Sequence, residues 1–161
     1  MKEFIYLFLV VVLSGCSTIK NYNKLEQPEE KVLTASIGST IFRMNKSADL
    51  ANAFGKADLY GGKVDKGYTE LKFKGIKENG NIILQITDIN KSSTETAMDR
   101  YQPKVNVSAS NTINMNDASN PDQTVFEFDP TKEKSLVLGG VSVTFIEVTS
   151  YSIKYKLNKQ N

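Results

Sequence analysis

The chain carries 161 residues, with 20 lysines and arginines against 18 acids, so its formal charge of +2 is close to neutral and its lysines are interleaved with acids throughout. A nucleic-acid partner is not expected, because proteins that bind nucleic acid gather their basic residues on one face or in runs. The lack of histidine removes the commonest general base, the histidine-dependent triads and the usual zinc sites, and a single cysteine leaves no internal disulfide.

In chain order, the first element is MKEFIYLFLVVVL, in which Lys2 precedes an uncharged apolar run over 4–13. At about 1.5 Å per residue a helix of that run is roughly half as long as a membrane span, so it reads as a secretory signal rather than a lasting transmembrane segment. Leu13-Ser14-Gly15-Cys16 follows, an apolar residue and two small ones ahead of the cysteine. This short motif resembles the lipobox of bacterial lipoproteins. The resemblance implies that diacylglycerol is attached to the Cys16 sulfur, that residues 1–15 are removed and that the new amino terminus is acylated. It also implies a bacterial cell envelope, and Ser17, where inner-membrane lipoproteins carry aspartate, points to the outer membrane. Glu3 departs from the positively charged start usual in such signals. The resemblance covers about the first 20 residues. Several acyl chains make a durable anchor, since each buried CH2 contributes roughly 0.8 kcal/mol and one chain alone binds marginally.

Residues 16–31 are then expected to be the lipidated cysteine and a flexible tether, because STIKNYNKLEQPEEK is polar, holds a proline and shows no sustained apolar period. As a coil it would span roughly 20 Å, enough to lift a domain clear of the headgroups. Residues 32–161 form one domain of ordinary size.

Within that domain the two-residue period recurs. Strands are expected at 32–36 and 40–44, then in a hairpin of 68–76 and 82–89 whose turn holds Asn79-Gly80, a pair that accepts the positive φ angles of tight hairpins. Further strands are expected at 124–129 and 136–138, with a tight turn at Gly139-Gly140. A final hairpin pairs Val141, Val143 and Phe145 with Tyr151, Ile153, Tyr155 and Leu157 about a turn at Thr149-Ser150. One helix is expected over 47–54: Ser47 as cap, Asp49 in the first turn, Gly55 closing the end, and Leu50, Ala51 and Phe54 on one face. The pattern as a whole predicts an all-β, mainly antiparallel fold, a small β-sandwich or open barrel with one short helix.

Two irregular regions are the places to look for function, since loops on a rigid sheet usually carry it. The stretch 54–68 holds four glycines and two tyrosines, and its Gly61-Gly62 pair would expose Tyr60 as a contact residue, with Tyr68 at the end of the loop. The same residues could instead form a structural crossover whose tyrosines close the core. The stretch 91–123 is rich in Ser, Thr, Asn and Asp, and Val105, Val107, Ile113 and Met115 alternate as a weak edge hairpin would. Glu70, Glu95, Glu127 and Glu147 are candidates for a carboxylate pair, but solvated strand faces account for them more simply. Asn116, Asp117, Asn120 and Asp122 offer oxygens suited to calcium without the spacing of an EF-hand loop. No catalytic residue, cofactor or metal is expected. The features fit a non-enzymatic module, held to a membrane through Cys16, whose β domain binds an envelope protein. A module for a small ligand, glycan or lipid and a carboxylate-dependent hydrolase are the alternatives.

Overall fold

A computed structural model describes residues 18–92, 95–101 and 122–160. The signal segment, Cys16, Ser17, the alternating pattern at 105–115 and the Asn116–Asn120 oxygens lie outside the described residues. Among the described residues, nine strands form two antiparallel sheets. The larger holds β1 (Asn21–Leu25), β3 (Thr40–Asp49), β4 (Lys63–Ile76), β5 (Ile82–Asn90) and β6 (Asp122–Phe128), in the order β1-β3-β4-β5-β6. The smaller holds β2 (Leu33–Ser36), β7 (Ser135–Leu138), β8 (Val141–Val148) and β9 (Ser152–Lys159), in the order β2-β9-β8-β7. The fold is therefore an all-β antiparallel sandwich with one short helix, α1 (Ala97–Tyr101).

Alternation explains the core. Phe42, Met44, Leu71, Phe73, Ile82 and Leu84 from the larger sheet face Val141, Val143, Phe145, Ile153, Tyr155 and Leu157 from the smaller, and all are buried. Each such side chain stabilises the fold by about 1.5–3 kcal/mol relative to exposure. Phe128 and Phe145 meet across the two sheets with ring centroids 5.0 Å apart. A bulge between Thr40 and Phe42 takes Ile41 out of the regular ladder, and the buried Tyr155 hydroxyl donates to the Ile41 carbonyl at 2.8 Å. That bond gives the buried Tyr155 hydroxyl its acceptor.

Two expectations are corrected. The helix over 47–54 does not form: β3 continues as a strand to Asp49, a bulge at Lys46/Ser47 shifts its register, and Leu50 is buried while Phe54 is exposed. The Asn52 side chain accepts the N–H groups of Phe54 and Lys56 at 2.9 and 3.0 Å, which favours a turn over a helix in the way short polar side chains do. The short helix lies instead at Ala97–Tyr101. Within the stretch expected as a tether, residues 21–30 are held to the sheets: β1 pairs with β3 from Asn21↔Ala48 to Leu25↔Met44, Arg43 donates its N–H to Gln27 Oε1 at 2.8 Å, and Glu30 bonds Leu157 at 2.9 Å. The ordered sheet thus begins well before residue 32, because a polar edge strand needs only one bonded neighbour and no apolar face.

Candidate functional site

The strands of the larger sheet outrun those of the smaller. β4 is 14 residues long and β3 is 10, against 8 for β8 and β9, and the excess lies at the end where β3 finishes and β4 starts. The main core stops at Met44. Beyond it a separate small cluster holds Ala48, Leu50 and Val64, with Ala97 of α1 packed against it.

At the step between the two sheets lies an open depression of about 380 Å³ lined by residues that include Lys46, Thr69, Asp88 and Gly139. Lys46 Nζ is 2.5 Å from Asp88 Oδ1, and Thr69 and Asn90 also donate to the Asp88 carboxylate. Burial works against that charge, but the hydrogen bonds from Lys46, Thr69 and Asn90 outweigh it and hold the Asp88 carboxyl below its usual range. The charges in this depression therefore answer one another.

The overhanging end carries the loop singled out in the sequence. Leu50 donates to the Gly62 carbonyl at 2.8 Å and accepts from Asp58 at 2.8 Å, so the β3–β4 ladder runs on into the loop. Ala51 then pairs with Ala57 in an antiparallel bridge and with Thr96 in a parallel one. Asn52 accepts from Phe54 and Lys56 on its side chain, and its own N–H bonds the Lys56 carbonyl at 2.7 Å. A small rigid hairpin results. Gly62 lies close to Leu50: a Cβ there would stand 2.9 Å from Leu50 Cδ2, so the leucine side chain would have to shift. α1 is tied down by the Ala97 N–H to the Ala51 carbonyl at 2.8 Å and by Arg100, which donates to the Lys63 carbonyl at 2.9 Å and pairs with Glu95 at 2.7 Å.

On this frame the apolar side chains point outward: Phe54 is 88% exposed, Leu59 89%, Tyr60 84% and Met98 54%. With Ala97 they border an open hollow of about 400 Å³. Large apolar side chains so gathered on a hydrogen-bonded scaffold form an exposed apolar patch. Tyr60, Gly61 and Gly62 are thus placed in one exposed loop, as the glycine pair suggested. Tyr68 is not part of it: it sits within β4, half-buried, with the Arg43 guanidinium 3.7 Å above its ring. Phe54 and Met98 were not singled out as contact residues, since Phe54 had been assigned to a buried helical face.

The chain comes into the fold at this same end. Lys20 donates its N–H to Asp49 Oδ2 at 2.9 Å and accepts from the Asp49 N–H at 2.9 Å. Asp49 also receives Lys63 Nζ at 2.7 Å, and Lys63 stands 3.3 Å from the centre of the Tyr22 ring. The bond from Lys63, then that from the Lys20 backbone, lowers the Asp49 pKa from 3.8 to about 2, and the same bond raises that of Lys63.

No family model, curated protein or solved structure matches this chain.

Each of the four candidate glutamates has a basic partner of its own. Glu70 bonds the Thr40 hydroxyl at 2.9 Å and pairs with Lys72 at 3.1 Å; Glu95 pairs with Arg100, Glu127 with Lys77, and Glu147 with Lys154 at 2.6 Å on the other sheet. Asp122 begins β6. Among the described residues no three Asp, Glu, Cys or His side chains are grouped as a metal site would need, and no helix is long and apolar enough to cross a membrane.

Proposed function

We propose that this chain is a non-enzymatic lipoprotein of a bacterial envelope, anchored in the outer membrane by acyl chains on Cys16. Its β sandwich binds another envelope protein, as an accessory to a larger assembly. The lipobox at Leu13-Ser14-Gly15-Cys16 supports the anchor.

The observation that carries the binding role is that exposed apolar side chains gather at two opposite ends of the sandwich. Phe54, Leu59 and Tyr60 lie where β3 finishes. At the other end of β3, roughly 30 Å away for a strand of 10 residues, Tyr151 is 78% exposed and Ile37 49%, joined by a bond from the Ile37 N–H to the Tyr151 carbonyl at 3.2 Å. A domain tethered at one end offers the other end to a partner.

Two measurements test the reading in the native cell. Fatty-acid labelling of the chain should be lost in Cys16→Ala; retained label refutes the anchor. A photo-crosslinking residue in place of Tyr151 should give an adduct of one defined mass in intact envelopes, and one in place of the solvated Lys74 should not. Equal yields from both positions would refute a partner at that end.

A further inference from the structure

The lipid on Cys16 and the exposed apolar loops are brought to one end of the molecule by separate parts of the sequence. Four peptide units separate Cys16 from Lys20, so whatever their conformation the two Cα atoms lie no more than about 14 Å apart. Lys20 is fixed to Asp49 by its N–H and its carbonyl, and β1 runs antiparallel to β3, so the chain leading back to Cys16 leaves past the end of β3. The 51–57 hairpin leaves past the same end, and Phe54 stands four residues beyond Leu50. The lead to Cys16 and the hairpin thus have similar reach. β1 takes up residues 21–25 of the stretch first expected as a coil, which leaves only the short lead before Lys20 between the domain and Cys16.

We propose that Phe54, Leu59 and Tyr60, flanked by Met98, rest in the headgroup and upper acyl region of the bilayer that holds Cys16, docking the sandwich end-on against the lipid. The inference rests on the anchor at Cys16 and adds a second, non-covalent contact with the same membrane. Its chemistry suits that layer: two wholly apolar side chains to enter it, a tyrosine whose hydroxyl stays at headgroup level, and Lys56 beside Phe54 to meet phosphate. Rigidity matters as well. The hairpin bonds and the tie of Arg100 to Lys63 hold the loops ready, so little conformational freedom remains to be lost on contact.

The test exploits the fact that Cys16 is the chain's sole cysteine. The full lipidated protein with Phe54→Cys, Leu59→Cys or Tyr151→Cys carries one labelling site each, because the Cys16 sulfur is already acylated. Mass spectrometry first establishes the acyl chains on Cys16; an unacylated cysteine overturns the anchor reading and the docking inference with it. The acylated variants, labelled with an environment-sensitive fluorophore, are placed in phosphatidylethanolamine–phosphatidylglycerol vesicles with and without lipids spin-labelled high in the acyl chain. Docking at the usual interfacial depth predicts a blue shift at 54 and 59 and loss of roughly half or more of their emission to the spin label, with little loss at 151. Equal quenching at all three positions, or none at 54 and 59 on an acylated chain, overturns the inference. So does a blue shift at 54 and 59 without quenching, which would mean that a second copy or another protein covers the end.

Discussion

Gly67 is the residue of the larger sheet least able to accept a side chain. Its φ is +99°, and a Cβ added there would lie 1.9 Å from the Ile89 carbonyl oxygen and 2.7 Å from its carbon. The glycine follows the Lys46/Ser47 bulge and pairs with Asn90, and its N–H is held by Asp65 Oδ1 at 2.8 Å. In Gly67→Ala the left-handed backbone alone costs about 1–2 kcal/mol. Relief of the clash requires β5 to move away, which breaks the pairing with Asn90 and the bond from the Lys91 N–H to the Lys66 carbonyl at 3.0 Å, at roughly 1 kcal/mol per net hydrogen bond. The expected loss is about 2–4 kcal/mol, or roughly 6–15 °C in Tm for a domain of this size. Gly80→Ala is the matched control: its φ is +85°, but the added Cβ has nothing within 4 Å, so about 1 kcal/mol is expected. Both variants are melted in detergent and followed by strand-band circular dichroism. If they melt at the same temperature, the close approach of β4 to Ile89 is not what holds this bulge.

Two further outcomes follow from the candidate end. Tyr60→Ala should leave thermal stability in detergent within about 0.5 kcal/mol of the parent, as exposed positions do, and a loss of about 3–5 kcal/mol would place the ring in the core instead. The Asp49 carboxyl, low in the folded chain at about 2 against 3.8, contributes stability that is present above pH about 4 and lost as pH falls through about 2. Asp49→Asn should therefore lower the melting temperature at pH 7 and make little difference near pH 2; a carboxyl carbon that titrates near 3.8 by NMR would refute the bonds drawn to Lys20 and Lys63.

How much of this was legible beforehand depended on whether a residue faces a neighbour or water. The strands β8 and β9 and the first half of β5 bury alternate residues, so pattern alone places them, and Asn79-Gly80 marks a turn in which Gly80 takes φ +85°. β1 was hidden because its sequence NYNKL is almost wholly exposed, and an edge strand needs no apolar side to make its ladder. The end of β3 was misread for a related reason. Ala48 and Leu50 stay in step with Phe42 and Met44, but the polar Lys46 breaks the apolar row between them, and the spacing of Leu50 and Ala51 to Phe54 then resembles a helical face. At the candidate end, Gly61-Gly62 rightly marked an exposed loop. Nothing local could show that Tyr68 belongs to the sheet beneath Arg43, or that Met98 stands beside Phe54, because both depend on strand pairings distant in sequence.

The short lead from Cys16 also settles how weak the apolar contact can be and still matter. Free in solution, three exposed side chains would bind a bilayer poorly, since a single lipid-like signal gives only marginal attachment. With Cys16 acylated as proposed, Lys20 would lie within about 14 Å of the anchor, and the loops beside it would meet the surface as an intramolecular event, at an effective concentration in the millimolar range or above. A millimolar affinity then suffices for the docked state to be at least half occupied. The consequence reaches the other end of the molecule. The proposed docking would set the strands of the larger sheet at a steep angle to the membrane, with Tyr151 and Ile37 roughly 30 Å farther out, the length of β3. A partner that reads this far end then meets a surface held at a set height and orientation. A coil of the length first expected at 16–31 would leave that surface to swing, and the pairing of Asn21–Leu25 with β3 removes that freedom.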